Sequence, residues 1–244
     1  MKYLKSIITL FAFLAIISFT YSQTVDEIIN KHITASGGLD KINSIKTMII
    51  TGKINGGGME FPFTQTIKKP NGMLMEMTIQ GMTMKQGYDG TTAWMINPFQ
   101  GNKNAEKMPK EQEKYMKEQA EIEGQLVNYK EKGSTVELLG KEDMEGSEVY
   151  KIKLTDKDGD VTTYYLDASS YLVLKQESKR KIKEKEISST ITMGNYKSID
   201  GYMVPHSVEI KSSNEQMGTQ NVIIEKVEMN TPVEDNIFAM PENK

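Results

Sequence analysis

The side chains able to carry proton transfer, nucleophilic attack or metal binding are few. Only two histidines occur in 244 residues, His32 and His206, and there is no cysteine. His32 falls in a helical pattern one position before Ile33, and His206 follows Pro205 at the start of a strand pattern; neither has a second ligand at metal-binding spacing. The missing thiol removes cysteine nucleophiles, disulfides and thiolate metal sites, and no Gly-x-Ser-x-Gly elbow is present. Carboxylates are plentiful, 33 in all, so an acid pair by chance carries little information about glycoside hydrolysis. Asp156-Lys157-Asp158-Gly159-Asp160 offers carboxylates at alternate positions as a calcium loop does. Position six is Val161 and position twelve Asp167, where an EF-hand needs Gly and Glu, so a hairpin turn with Asp158-Gly159 at its tip is the better reading. Gly56-Gly57-Gly58 lacks the Lys-Ser/Thr and the following helix of a phosphate loop, and reads as a hairpin. No cofactor is implied, and the chemistry excluded here points away from an enzyme.

What the sequence does offer is an apolar surface. Met59, Phe61 and Phe63, then Met73, Met75, Met77 and Ile79, then Met82 and Met84 alternate with mostly polar residues. In a strand, residues two apart share one face. Methionine's unbranched thioether chain moulds to guests of variable shape. Trp94, the only tryptophan, follows closely and is expected beside this wall. These ten residues are the candidate lining for an apolar ligand. The same alternation also suits the packed core of an antiparallel sheet, and both readings stand at this point.

The elements that would position the wall are legible in outline. Thr24 with Glu27 forms a capping box ahead of the stripe Val25, Ile28, Ile29 and Ile33, and Gly37 ends that helix. Leu39, Ile42 and Ile45 predict a short second helix. Strands follow over Thr47–Ile54, Glu60–Lys68, Met73–Gln80, Met82–Tyr88 and Thr92–Ile96. From Pro109 to Ile122 the composition turns to Lys, Glu and Gln, with Tyr115, Met116, Gln119 and Ile122 at helical spacing. Strand patterns resume from Val136 and run to Met229, giving about eleven in all. A continuous antiparallel sheet of that length curls, and a helix over its mouth would enclose a cavity.

At the N-terminus Lys2 and Lys5, the apolar run Ile7 to Phe19, and small Thr20 and Ser22 predict a signal peptide cleaved after Ser22. The run is too short to span a bilayer. The mature chain, 23–244, would hold 28 basic and 33 acidic residues, a net charge of −5, which carries no footprint for nucleic acid. No linker or repeat divides it, so one domain is expected after the 1–22 leader, located in the periplasm and not lipidated.

Ala35-Ser36-Gly37-Gly38-Leu39 after the first helix, the Tyr88-Asp89-Gly90...Trp94 strand, Tyr165-Leu166-Asp167 leading to Leu172-Val173-Leu174-Lys175, and Tyr196...Asp200-Gly201...Pro205 together resemble the outer-membrane lipoprotein-sorting (LolA-like) family. The likeness spans nearly all of the mature chain and rests on the order and spacing of short motifs. It implies a mainly β fold, a half-open antiparallel barrel of about eleven strands with an α-helical lid over an apolar cavity that takes acyl chains. It implies as partners an acylated lipoprotein or lipid cargo, an inner-membrane transporter and an outer-membrane acceptor. The methionine content and the charged 109–122 segment depart from the typical carrier and suit a different lipid. The competing expectation from the same fold is a non-catalytic envelope interaction module with a filled core.

Overall fold

The computed structural model describes residues 23–101, 103–182, 185–213 and 218–242; the expected signal peptide lies outside the described residues. Helix α1 (Val25–Ala35) starts as the capping box dictates. The Glu27 amide donates to Thr24 Oγ1 at 3.2 Å, and the Thr24 amide donates to the Glu27 carboxylate at 2.9 Å. Gly37 (φ +127°) ends the turn against the backbone. A Cβ there would lie 2.5 Å from the Gly201 carbonyl oxygen, so the chain needs glycine where the helix meets a strand turn. Helix α2 (Leu39–Ser44) follows.

Thirteen strands among the described residues form one antiparallel sheet. They are β1 (Thr47–Gly56), β2 (Met59–Lys68), β3 (Gly72–Ile79), β4 (Met82–Asp89), β5 (Ala93–Ile96), β6 (Glu106–Lys107), β7 (Thr135–Met144), β8 (Ser147–Thr155), β9 (Val161–Asp167), β10 (Val173–Ile182), β11 (Lys185–Ile199), β12 (Tyr202–Ser212) and β13 (Thr219–Met229). Their order is β6-β5-β4-β3-β2-β1-β13-β12-β11-β10-β9-β8-β7, and β6 and β7 stand at unpaired edges. The fold is therefore the mainly β, half-open barrel with helical cover that the family resemblance implied, with thirteen strands where about eleven were expected. Helix α3 (Lys110–Gln119) interrupts the strand series as expected and stops three residues earlier, capped at Ala120.

One row of directly paired residues fixes which face is inside. Leu138, Ile152, Tyr164, Gln176, Ile191, Ile210, Gln220, Gly56 and Met59 oppose one another in turn from β7 to β2. Paired positions share a face, so Met59 lies on the same surface as Ile152 and Tyr164. Two apolar clusters cover that surface. Under α1, Ile28 and Ile29 pack on Tyr150, Ile152, Leu154, Tyr164 and Leu166. Under α3, Met116, Ala120 and Ile122 pack on Met48, Ile67, Met73 and Tyr88. No described helix is long and apolar enough to cross a membrane.

Candidate functional site

The methionine face is real, continuous and graded. Met73 pairs with Ile67 and Tyr88, and is fully buried beneath α3. Met75 follows, partly buried against the same cluster. Beyond it the row Gly52, Phe63, Met77 and Met84 crosses four strands; Phe63 is buried and the two methionines are half-buried. Phe61 and Ile79 come next, half-buried, and Met59 and Met82 end the face at 51% and 40% exposure. Nine of the ten predicted residues thus share one surface, filled at one end and open at the other.

Trp94 corrects the expectation. Met73, Tyr88 and Ala93 oppose one another on the inner face, whereas Leu74, Gly87 and Trp94 oppose one another on the outer face. The indole packs with Leu74, Ala105 and Phe238, and its Nε1 donates to the Phe238 carbonyl at 2.7 Å. It anchors the C-terminal segment and does not line the methionine face.

Sequence reasoning missed the other half of the surface. Met193, Val208, Val222, Ile54 and Phe61 form a directly paired row across β11, β12, β13, β1 and β2, apolar throughout and only partly buried. A bulge between Thr51 and Gly52 opposite β13 lets both Val227 and Ile224 face inward. The alternation in β11 to β13 carried the signal, but only the register shows that it joins the methionine strands. Two pockets, a groove of about 410 Å³ beside Ser44, Lys46 and Asn230 and a cavity of about 140 Å³ beneath α1, include none of the ten predicted residues. The methionine face is an open trough, whereas the sequence suggested a walled hollow.

Helix α3 bridges that trough, and charges tie it down on the far side. Lys114 Nζ lies 2.7, 3.0 and 2.6 Å from carboxylate oxygens of Asp156, Asp158 and Asp160. The segment that looked like a failed calcium loop encloses an ammonium of this same chain. Burial works against the charge, but the three carboxylates outweigh it and hold Lys114 above the ordinary lysine range. Burial likewise pushes Asp156 up. Lys114 and the backbone amides of Asp160 and Asp158 overcome that and hold it below its usual value. Glu118 pairs with Arg180 of β10, and burial raises its pKa against the pull of the guanidinium. Met116 on the opposite side seats α3 on Met73 and Tyr88.

Of the two histidines, His206 is buried in β12 with Nδ1 3.1 Å from the Val204 carbonyl, and His32 meets the Tyr171 carbonyl at 2.9 Å. The two imidazoles meet different carbonyls and not each other. Among the described residues, no group of three or more His, Asp or Glu is arranged to hold a metal ion.

Residues 80–242 match the model of a protein family described as "Uncharacterized protein", and the chain belongs to that family. No curated protein matches. Solved structures give the fold. A DUF1329 family protein from Desulfovibrio piger superposes with a TM-score of 0.62 at 13% identity, covering 89% of this chain and 98% of that one. A LolA superfamily protein from Nitrosomonas europaea gives 0.59 at 13% identity, covering 89% and 98%. An outer membrane lipoprotein-sorting protein domain from Vibrio parahaemolyticus gives 0.57 at 17% identity, covering 87% and 94%. At these identities the likeness is one of fold, and the fold is LolA-like.

Proposed function

We propose that this protein is a non-catalytic periplasmic carrier that holds acyl chains of a lipoprotein or lipid in the trough and passes them toward the outer membrane. One observation carries the reading: the row Met193, Val208, Val222, Ile54 and Phe61 is apolar across five strands, yet the core leaves it partly uncovered. A contiguous apolar surface of that kind calls for an occupant. At about 25 cal/mol per Å² of apolar area, covering about 300 Å² of guest gains roughly 7 kcal/mol before the cost of ordering it. Such binding asks little of polar contacts, which suits a wall of methionines. Release follows from α3 lifting, since its far side is held by ion pairs that an incoming partner can exchange. An inner-membrane transporter and an outer-membrane acceptor are the partners this role requires.

Uptake of a fluorescent fatty acid tests the assignment. Met77→Asp and Phe61→Asp are expected to abolish uptake. Glu76→Gln, on the outer face where Glu76 pairs with Lys85 at 2.7 Å, is expected to leave it unchanged. Equal loss in all three, with folding intact, contradicts the proposed surface. Uptake by none of them, wild type included, favours the second reading, an envelope interaction module, for which the filled α3 end of the face speaks.

A further inference from the structure

The cavity of about 140 Å³ lies beneath α1 and α2, against β10 to β12, and meets the trough at Met193. Its polar lining includes His32, Ser36, Glu123 and Gln176. His32 Nδ1 faces the Tyr171 carbonyl at 2.9 Å, and since a carbonyl only accepts, Nδ1 carries the hydrogen. Burial lowers the His32 pKa, against a smaller opposing effect of that bond, so the ring is neutral and Nε2 is a free acceptor. Gln176, inward-facing opposite Tyr164 and Ile191, brings an amide to the same wall. Among the described residues neither Nε2 nor that amide has a hydrogen-bonding partner. No side-chain polar atom is both fully buried and unpaired, so both keep access to solvent, and both residues line the cavity. Glu123 adds a carboxylate whose charge Lys69 offsets at 3.4 Å. The hydroxyls of Tyr196 and Tyr202 are spent as donors on the carbonyls of Val173 at 2.6 Å and Ile122 at 3.3 Å, which leaves their rings as walls.

We propose that this cavity is a binding site for a small neutral polyol, whose hydroxyls donate to His32 Nε2 and Glu123 and exchange hydrogen bonds with Gln176. Size sets the guest at about six heavy atoms, since an apolar cavity of similar volume takes benzene. Charge narrows it further. An anion would meet a carboxylate and an uncharged imidazole, and a cation would meet a carboxylate already paired with Lys69. A purely apolar guest would strip water from His32 Nε2 and Gln176 and leave both unpaired, which is unfavourable. A polyol satisfies both while its carbon face lies on the tyrosine rings.

Because the chain has only two histidines, its imidazole spectrum carries its own control. Glycerol is titrated into the 23–244 chain while the Hε1 signals of His32 and His206 are followed by NMR. The expected result is a saturating shift of His32, a still His206, and a nuclear Overhauser effect from glycerol to His32 Hε1. Gln176→Leu is expected to weaken the His32 response about tenfold, the equivalent of one lost hydrogen bond. Parallel, non-saturating drift of both signals, or no Overhauser effect in the wild type, shows a cavity filled by water alone and overturns the proposal. The Overhauser measurement needs no variant, so it decides the matter even if Gln176→Leu does not fold.

Discussion

The ring of Phe63 occupies the side-chain space of Gly52, which it faces across β1 and β2. A Cβ on Gly52 would lie 3.0 Å from Phe63 Cε1 and 2.1 Å from the carbonyl oxygen of Ile223. The ring can shift, but the backbone of β13 cannot without breaking its pairing. The missing side chain at residue 52 is what lets the Phe63 ring approach β1 so closely.

Gly52→Ala is therefore expected to destabilise the fold by about 1–3 kcal/mol, the range for overpacking a filled site. Urea denaturation checks it. An unchanged midpoint would show that β1 and β13 have room between them for a methyl group.

Trp94 and Met77 separate structure from binding because they lie on opposite faces. Trp94→Phe loses the bond to the Phe238 carbonyl and leaves that buried acceptor without its donor, at about 1–3 kcal/mol. Fatty-acid uptake is expected to stay at the wild-type level below the melting temperature. A selective loss of uptake with stability retained would return Trp94 to the lining.

The Lys114 clasp predicts a salt-sensitive cover. Its groups are partly exposed, so each pairing contributes modestly and is screened by ions. Replacing Lys114 by Gln is expected to speed fatty-acid entry by about three- to tenfold at low salt, the equivalent of about 1 kcal/mol. Raising the salt concentration should speed entry into the wild type and change the variant little. Stopped-flow fluorescence reads both. Identical rates at every ionic strength would show that α3 does not gate the trough.

Two groups give the stability a defined pH dependence. The folded Asp156 carboxyl sits below its usual 3.8, so its contribution is present above about pH 4 and is lost as pH falls through the lower folded value. His32 has its pKa lowered from 6.5. As pH falls below about 6.5 the unfolded chain takes up a proton that the folded ring resists, and stability drops. Thermal melts from pH 8 to 5 should fall for the wild type and flatten for His32→Gln, while Asp156→Asn, lacking the carboxylate's contribution, should melt lower by a constant amount across that range and lose the wild type's further decline only below about pH 4. A His32→Gln profile as steep as the wild type would contradict the burial of that ring.

The capping box of α1, the hairpin tips and the alternation of the methionine strands were legible because each depends on neighbours a few residues apart. Trp94 was not. Inward positions in β4 are even-numbered, and after the Asp89-Gly90 turn those in β5 are odd-numbered, so adjacency in sequence to Met84 put Trp94 on the wrong side. Met193, Val208 and Val222 were missed because only pairing between strands far apart in the chain joins them to Phe61. The role of Asp156, Asp158 and Asp160 was equally hidden, since their partner Lys114 lies more than forty residues away. Strand β6, two residues long, has no periodicity to detect.

Whether the trough carries an acyl chain is answered most directly by native mass spectrometry of the 23–244 chain, gently purified from a bacterial periplasm. The predicted result is a stoichiometric acyl-bearing species that Met77→Asp fails to retain. Ligand-free wild-type protein that also refuses a fluorescent fatty acid would contradict the carrier and leave a module with a filled core.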